Sequence, residues 1–329
     1  MLRRRKIALA LASVALAAGS LAVAGCGDDD DDGDSGSSNL SGTITIDGSS
    51  TVAPLSEAAA ELFQQENPDV RVTVGTSGTG GGFEKFCRGE IDISDASRPI
   101  KVEEIAACES AGIAFEQVDV ANDALSVIKN PENDWATCLT VEELNKIWDR
   151  GSNVNNWNQV NPDFPDEPLV LFGPGTDSGT FDYFTDEING EEGVQRTDYN
   201  NIGEDDNAAV TGVAGTKGGL GYLGYSFFAE NEGTIEAVEI DGGDGCVAPS
   251  AETAQDGTYV PLGRQLFIYP SSESLTKPEV KAFVEFYINN NDEIAERAQI
   301  IPLNDEQKQE ALDKVAELTS GEAGGETTE

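Results

Sequence analysis

The stretch Asp92-Ile93-Ser94-Asp95-Ala96-Ser97-Arg98-Pro99-Ile100 decides how this chain is read. Ile91 and Ile93 mark a short buried strand. Pro99 ends it, because proline fixes φ and lacks an N–H donor. A carboxylate, a hydroxyl and a guanidinium, from Asp95, Ser97 and Arg98, therefore gather at a strand end. Two other stretches have the same build: Gly48-Ser49-Ser50-Thr51-Val52-Ala53-Pro54 and Asp177-Ser178-Gly179-Thr180. Each follows an apolar run, carries Ser, Thr and Gly, and precedes a helical pattern.

Outward from this stretch, the pattern repeats strand and helix. Thr43–Ile46 alternates as a strand, and Leu55, Ala58, Ala59 and Leu62 lie at helical spacing. Val70–Val74 reads as a strand, followed by the glycine-rich segment 75–82 and a short helix around Phe83 and Phe86. Val102–Ala111 reads as a helix and Ala114–Val120 as a strand. Such β-α-β repetition implies parallel strands with helices on both faces. At Ala121–Ile128 the chain is expected to cross into a second domain. There Thr140 and Glu143 form a capping box, Leu169–Phe172 is a strand, Phe181–Ile188 and Asn207–Gly212 are helical, and Leu220–Phe228 and Ile235–Ile240 are strands. Tyr259–Tyr269 is a second apolar crossing, broken by Arg264. Residues 277–298 and 304–318 follow as amphipathic helices. The expected architecture is an α/β fold of two lobes, 41–122 plus 265–318 and 123–264, each a mixed, mostly parallel sheet flanked by helices. Two crossings between the lobes leave a cleft.

The N-terminus has the three parts of an export signal over 1–25: basic Arg3 to Lys6, an apolar run, and Val23-Ala24-Gly25-Cys26. The last segment resembles the lipobox of bacterial lipoproteins, in which the Cys becomes the first mature residue and is lipidated. Residues 26–40 carry a block of aspartates with almost no apolar content and read as a disordered tether. The run lacks the spacing of a calcium loop. Residues 319–329 read as a frayed tail.

Composition narrows the function. The chain has 329 residues, enough for two domains. It has 61 acidic residues against 20 basic, a formal net charge of −41. No basic stripe exists to neutralise a nucleic-acid backbone. A small anion responds to local donors more than to net charge, so it is not excluded. There are no histidines, which removes the commonest general base and metal ligand and with it a Ser-His-Asp triad. No cofactor or metal is called for. Besides Cys26 there are four cysteines, an even number in an exported chain. Of three possible connectivities, Cys87–Cys108 and Cys138–Cys246 keep each bridge within one expected domain.

A helix N-terminus offers unpaired N–H groups and partial positive charge. Ser and Thr add hydroxyl donors, and Gly lets the backbone approach a ligand. One such loop is an ordinary capped turn; several, with Ser97 and Arg98 beside them, point to a bound oxyanion. Taken together, the segments around Gly48–Pro54, Ser77–Phe86, Gly89–Ile100, Gly173–Phe184, Glu204–Asn207 and Tyr259–Tyr269 resemble the PstS-type phosphate-binding proteins of bacterial ABC importers. The resemblance covers about residues 41–300. It implies the two-lobed (type II) periplasmic-binding-protein architecture and a receptor that delivers inorganic phosphate to permease and ATPase subunits from the outer face of the cell membrane. The nearest alternative is another tetrahedral oxyanion, sulfate or molybdate. Carried over residue by residue, the implied ligand groups are Ser50 and Thr51; Ser77 and Thr79; Ser97 and Arg98; and Ser178, Gly179 and Thr180. Some members carry an Arg shortly before the Ser-Gly-Thr, where this chain has Gly173-Pro174-Gly175, so Arg98 is expected to be the main guanidinium. Phosphate keeps a proton that sulfate lacks, and a carboxylate that accepts its hydrogen bond would discriminate the two. Asp95, Asp206 and Asp177 are candidates for that carboxylate, although Asp95 is equally suited to cap the following turn.

Overall fold

The structure, a computed structural model, describes residues 40–320. The expected export signal, Cys26, nearly all of the tether and the tail beyond Ser320 lie outside the described residues. Strand Gly42–Gly48 (β1) is followed by helix Ala53–Glu66 (α1), strand Val70–Gly75 (β2), helix Thr79–Phe86 (α2), strand Ile93–Ala96 (β3), helix Val102–Ala111 (α3) and the long strand Val118–Lys129 (β4). The middle of the chain forms Cys138–Thr140 (β5), Val141–Trp148 (α4), Trp157–Val160 (α5), Val170–Gly173 (β6), Gly179–Asn189 (α6), Asn200–Asn201 (β7), Asp206–Ala214 (α7), Gly219–Gly224 (β8) and Tyr225–Glu230 (α8). Strands Glu236–Ala237 (β9), Glu239–Asp241 (β10) and Cys246–Val247 (β11), helix Ala251–Gln255 (α9) and strand Gly263–Pro270 (β12) follow. Helices Pro278–Asn289 (α10), Asn291–Ala298 (α11) and Asp305–Ser320 (α12) complete the described chain.

Local signals account for many of these boundaries. α1 starts with Pro54 in its first turn, where a missing N–H costs nothing. It buries Leu55, Ala58, Ala59 and Phe63, which recur at helical spacing. α4 has its capping box: Glu143 N–H donates to Thr140 Oγ1 and Thr140 N–H to Glu143 Oε2, both at 3.1 Å. The disulfides are Cys87–Cys108 and Cys138–Cys246.

Hydrogen bonding runs continuously through a sheet ordered β2-β1-β3-β12-β4-β8-β6-β7, with β9 also on β4. One wing, β2-β1-β3, is parallel, and so is the other, β8-β6-β7. The middle, where β12 pairs with β3 and β4 and β4 pairs with β8, is antiparallel. The sequence suggested two separate sheets. They are joined because the two crossing segments are themselves adjacent strands and so satisfy each other's backbone groups.

Two large apolar cores flank this middle. The first draws on Ile44, Leu55, Phe63, Val120, Leu266, Phe283 and Val315; the second on Leu125, Trp148, Leu171, Phe184, Tyr222 and Leu262. β4 feeds Val118, Val120 and Ala121 to the first core and Ala124, Leu125 and Val127 to the second. β12 likewise follows Leu262 of the second core with Leu266 and Ile268 in the first. A third link joins them: Asn122 and Ile301 exchange backbone hydrogen bonds at 2.9 and 3.2 Å, and Ile301 packs in the second core. Asp123 and Arg264 stand opposite each other in the β4–β12 register, between the residues that serve the two cores.

Candidate functional site

The loops after β1, β2 and β3 are laced together. Ser49 N–H donates to the carbonyl of Asp95 at 2.9 Å, and Gly78 N–H to that of Gly48 at 2.8 Å. Ser97 N–H donates to Thr79 Oγ1 at 3.2 Å, and the Ser97 and Thr79 hydroxyls lie 3.1 Å apart. These bonds fix three polar loop tips at one end of the parallel wing.

The loop after β6 comes from the other wing and meets them. A Cβ at Gly179 would stand 3.4 Å from Thr51 Oγ1, so the α6 start and the β1 loop are in direct apposition. Neither α1, α2 nor α6 has a side-chain cap at its N-terminus. Their first N–H groups are therefore not served by the usual Ser or Asp oxygen. At α4, α5 and α9 that role is filled.

Two neighbouring recesses open here, of about 360 Å³ and 720 Å³. Ser50, Thr51, Gly179 and Arg264 border both. Ser178, Thr180, Asp123 and Asp206 border the smaller; Thr79, Ser97 and Arg98 the larger. Eight of the expected residues are thus brought to one cleft: Ser50, Thr51, Thr79, Ser97, Arg98, Ser178, Gly179 and Thr180.

Ser77 and Asp95, also expected there, border neither recess. The Ser77 N–H and hydroxyl are both taken by Asp47 Oδ1, at 2.9 and 2.7 Å. Asp95 is fully buried beneath the β1 loop, where its Oδ1 accepts from the Ser56 hydroxyl at 2.9 Å and its Oδ2 has no partner. Asp177, the third carboxylate considered, is exposed and also borders neither recess.

Burial, reinforced by the nearby Asp47 carboxylate, holds the Asp95 carboxyl well above the usual carboxylate range. The folded protein therefore holds that proton more tightly than the unfolded chain does. The resulting stabilisation is full below the unfolded pKa, about 3.9, and is lost as pH rises from there to the folded pKa. Asp95→Asn should remove this contribution to the slope of stability against pH. Urea unfolding from about pH 4 upward checks it, and equal slopes in both proteins would contradict the assignment.

The guanidinium in common to both recesses is Arg264. Its Nε and Nη2 donate to Asp123 Oδ2 at 3.2 and 3.1 Å, and Nη2 lies 3.4 Å from Thr51 Oγ1. Its plane stacks on the Tyr183 ring, 3.6 Å from the centroid. The phenol of Tyr183 is anchored in turn on the Pro261 carbonyl at 2.9 Å. Nη1 makes no hydrogen bond among the described residues and is available to a ligand. Arg98, by contrast, spends its fork on Glu104, with Nη1 to Oε2 at 2.9 Å and Nη2 to Oε1 at 2.8 Å. Asp206 lies at the start of α7, where burial, then Glu204 and Asp205, raise its pKa to about 6. The α1 start is closed by its own backbone, with Ala53 N–H on the Ser49 carbonyl at 3.0 Å and Leu55 N–H on that of Val52 at 2.9 Å, but the Arg264 guanidinium, the uncapped α6 start and the Ser and Thr hydroxyls that border the recesses suit an anion with several oxygens. Among the described residues, the group with potential metal-ligand spacing is Cys138, Cys246 and Glu239, and its sulfurs are bonded to each other.

A family profile described as the PBP superfamily domain matches residues 33–291. The chain belongs to the PBP superfamily. Among its relatives is protein SphX of Synechococcus elongatus, 46% identical over 263 residues that span 79% of this chain and 77% of that protein. The phosphate-binding protein PstS of Staphylococcus saprophyticus is 36% identical over 264 residues, covering 80% and 81% of the two chains. The crystal structure of a possible phosphate-binding protein from Planctomyces limnophilus superposes with a TM-score of 0.80 at 46% identity, covering 85% of this chain and 99% of that one.

Arg264 and Asp123 are the site residues that sequence reasoning missed. The signal for them was present. Each is a charged residue inside an otherwise apolar crossing segment. In the sequence Arg264 stands as an interruption of its strand, with no mark of a ligand role.

Proposed function

We propose that this chain is an extracytoplasmic receptor that captures inorganic phosphate in the cleft and passes it to the permease and ATPase subunits of an ABC importer. The observation that carries this reading is the meeting of Ser50 and Thr51, the α6 start at Ser178-Gly179-Thr180, and Arg264 around shared space. Relatives carrying the name phosphate-binding protein PstS support the choice of anion. The role is binding, not catalysis.

Energetics are sufficient without a metal. Micromolar affinity needs about −8 kcal/mol. About six charge-assisted hydrogen bonds at ~1.5–3 kcal/mol each exceed that figure, with room for part of the ~4–15 kcal/mol cost of association. The guanidinium, the Gly179 and Thr180 N–H groups and the nearby hydroxyls are enough to provide them. Closure is proposed as a hinge motion about β4 and β12, with 41–122 plus 265–318 as one lobe and 123–264 as the other. Ser97, Arg98 and Thr79 then approach from the wall opposite α6. The chain is further proposed to be held to the membrane by lipid on Cys26. Cys26→Ala should release it from the membrane fraction, and retention there would contradict the anchor.

Calorimetry tests the main reading. Phosphate should bind saturably with one site per chain, and sulfate and molybdate should bind far more weakly. Tighter binding of sulfate or molybdate, or no binding of any of the three, would contradict it.

A further inference from the structure

We infer that Tyr183 is a positioning residue: it fixes the Arg264 guanidinium to helix α6, so that the cation and the helix start meet the anion as one preassembled unit. The inference rests on the phosphate-receptor reading and adds a residue to that same site. Tyr183 lies one turn into α6, four residues after Gly179, and is only 4% exposed. It grips the crossing segment that carries Arg264 at two points. Its ring lies under the guanidinium, with the central carbon 3.6 Å from the ring centroid, and its hydroxyl donates to the Pro261 carbonyl at 2.9 Å. The Arg98 guanidinium, by comparison, stands 5.6 Å from the Phe83 ring, near the outer limit of such contacts. Burial pushes the Tyr183 phenol above its usual range, so the hydroxyl remains a donor.

These contacts restrict different motions of Arg264. The ring face fixes the plane of the guanidinium. The bonds from Nε and Nη2 to Asp123 Oδ2 fix its direction within that plane. Contact with the β1 loop is a single long approach, Nη2 to Thr51 Oγ1 at 3.4 Å. The guanidinium is therefore held to α6 more firmly than to the loop that carries Ser50 and Thr51. An arginine side chain has much rotamer freedom to lose. Where the fold has already fixed it, the affinity for the ligand does not bear that loss. The ring face also stabilises the positive charge where water is excluded.

Tyr183 packs in the second apolar core as well. A variant could thus lose affinity through the guanidinium or through a loosened α6. A double-mutant cycle with Arg264 separates the two routes.

The test uses the mature protein with phosphate, read by calorimetry and, for the weakest variants, by phosphorus NMR. Tyr183→Leu should weaken binding by about tenfold, the size of a desolvated cation–π contact. Tyr183→Phe keeps the ring and should recover most of this, to within about threefold of wild type. In an Arg264→Ala background, Tyr183→Leu should cost less than about twofold more. A tenfold loss in that background too would overturn the inference, because Tyr183 would then act through the helix. Wild-type affinity in Tyr183→Leu, or equal losses in Tyr183→Leu and Tyr183→Phe, would also overturn it. Each of these results leaves the receptor reading intact. If Tyr183→Leu does not fold, proton NMR of the ligand-free wild type decides. The Arg264 Nε proton, identified by its loss in Arg264→Ala, should be shifted upfield by the ring current, and an unshifted proton would overturn the inference. No phosphate binding by wild type overturns both readings.

Discussion

Arg264→Ala should weaken phosphate binding by about 10²–10⁴-fold. Two charge-assisted hydrogen bonds from the guanidinium contribute roughly 3–6 kcal/mol together, and each 1.4 kcal/mol is a factor of about ten in affinity. The truncation also leaves Asp123 buried beside the anion without its counter-charge, which adds to the loss. Arg264→Lys should fall between the two, because an ammonium keeps the charge but loses the planar fork and the stack on Tyr183. Arg98→Ala should cost less, about tenfold, since its fork is already engaged by Glu104 and a single remaining contact is worth about 1.5 kcal/mol. Calorimetry on the three variants checks the order. A loss at Arg98 that exceeds the loss at Arg264 would show that the cation of the site had been assigned to the wrong strand.

Gly48→Ala should damage the site through the fold. Gly48 has φ of +147°, which side-chain-bearing residues rarely adopt, and an added Cβ would lie 2.1 Å from the backbone oxygen of Asp95. That oxygen accepts from Ser49 N–H, and the Gly48 carbonyl accepts from Gly78 N–H. The methyl group would thus push apart the three loops that carry Ser50, Thr79 and Ser97. Overpacking costs about 1–3 kcal/mol and backbone strain about 1–3 kcal/mol more, for a total near 3 kcal/mol. The expected fall in melting temperature is about 6–12 °C, with a loss of phosphate affinity. Unchanged melting and affinity would mean that the loops are not locked as described.

Much of the fold was legible because its signals are local. The Thr140–Glu143 capping box, the helical spacing in α1 and the loops before α1 and α6 depend only on near neighbours in the chain. What failed depended on long-range pairing. The apolar run Leu220–Phe228 read as one strand, but β8 ends at Gly224 and α8 begins at Tyr225; a short apolar run has no periodicity to separate the two. Residues 277–298 read as one helix, yet the structure breaks it between α10 and α11. The buried Asn291 beyond the break donates to the Val120 carbonyl at 2.6 Å and accepts from Leu303 N–H at 2.8 Å. Nothing in the local pattern announces those partners.

The site was legible in the same uneven way. Residue types that cluster at strand ends were found: Ser50, Thr51, Ser97, Ser178 and Thr180 reach the cleft. Which of two nearby hydroxyls or carboxylates faces it was not, since that depends on the partner each one meets. Asp47 takes Ser77 and leaves Thr79 to Ser97. Arg264 and Asp123 lie more than a hundred residues apart in sequence and meet through β-pairing alone.

A crystal structure of the mature protein with phosphate bears most directly on whether these groups share one ligand. The account predicts phosphate oxygens within about 3 Å of the Arg264 guanidinium, the Gly179 or Thr180 N–H, and the Ser50 or Thr51 hydroxyl. Phosphate seated on Arg98 and Lys101, with Arg264 still turned only to Asp123, would contradict it.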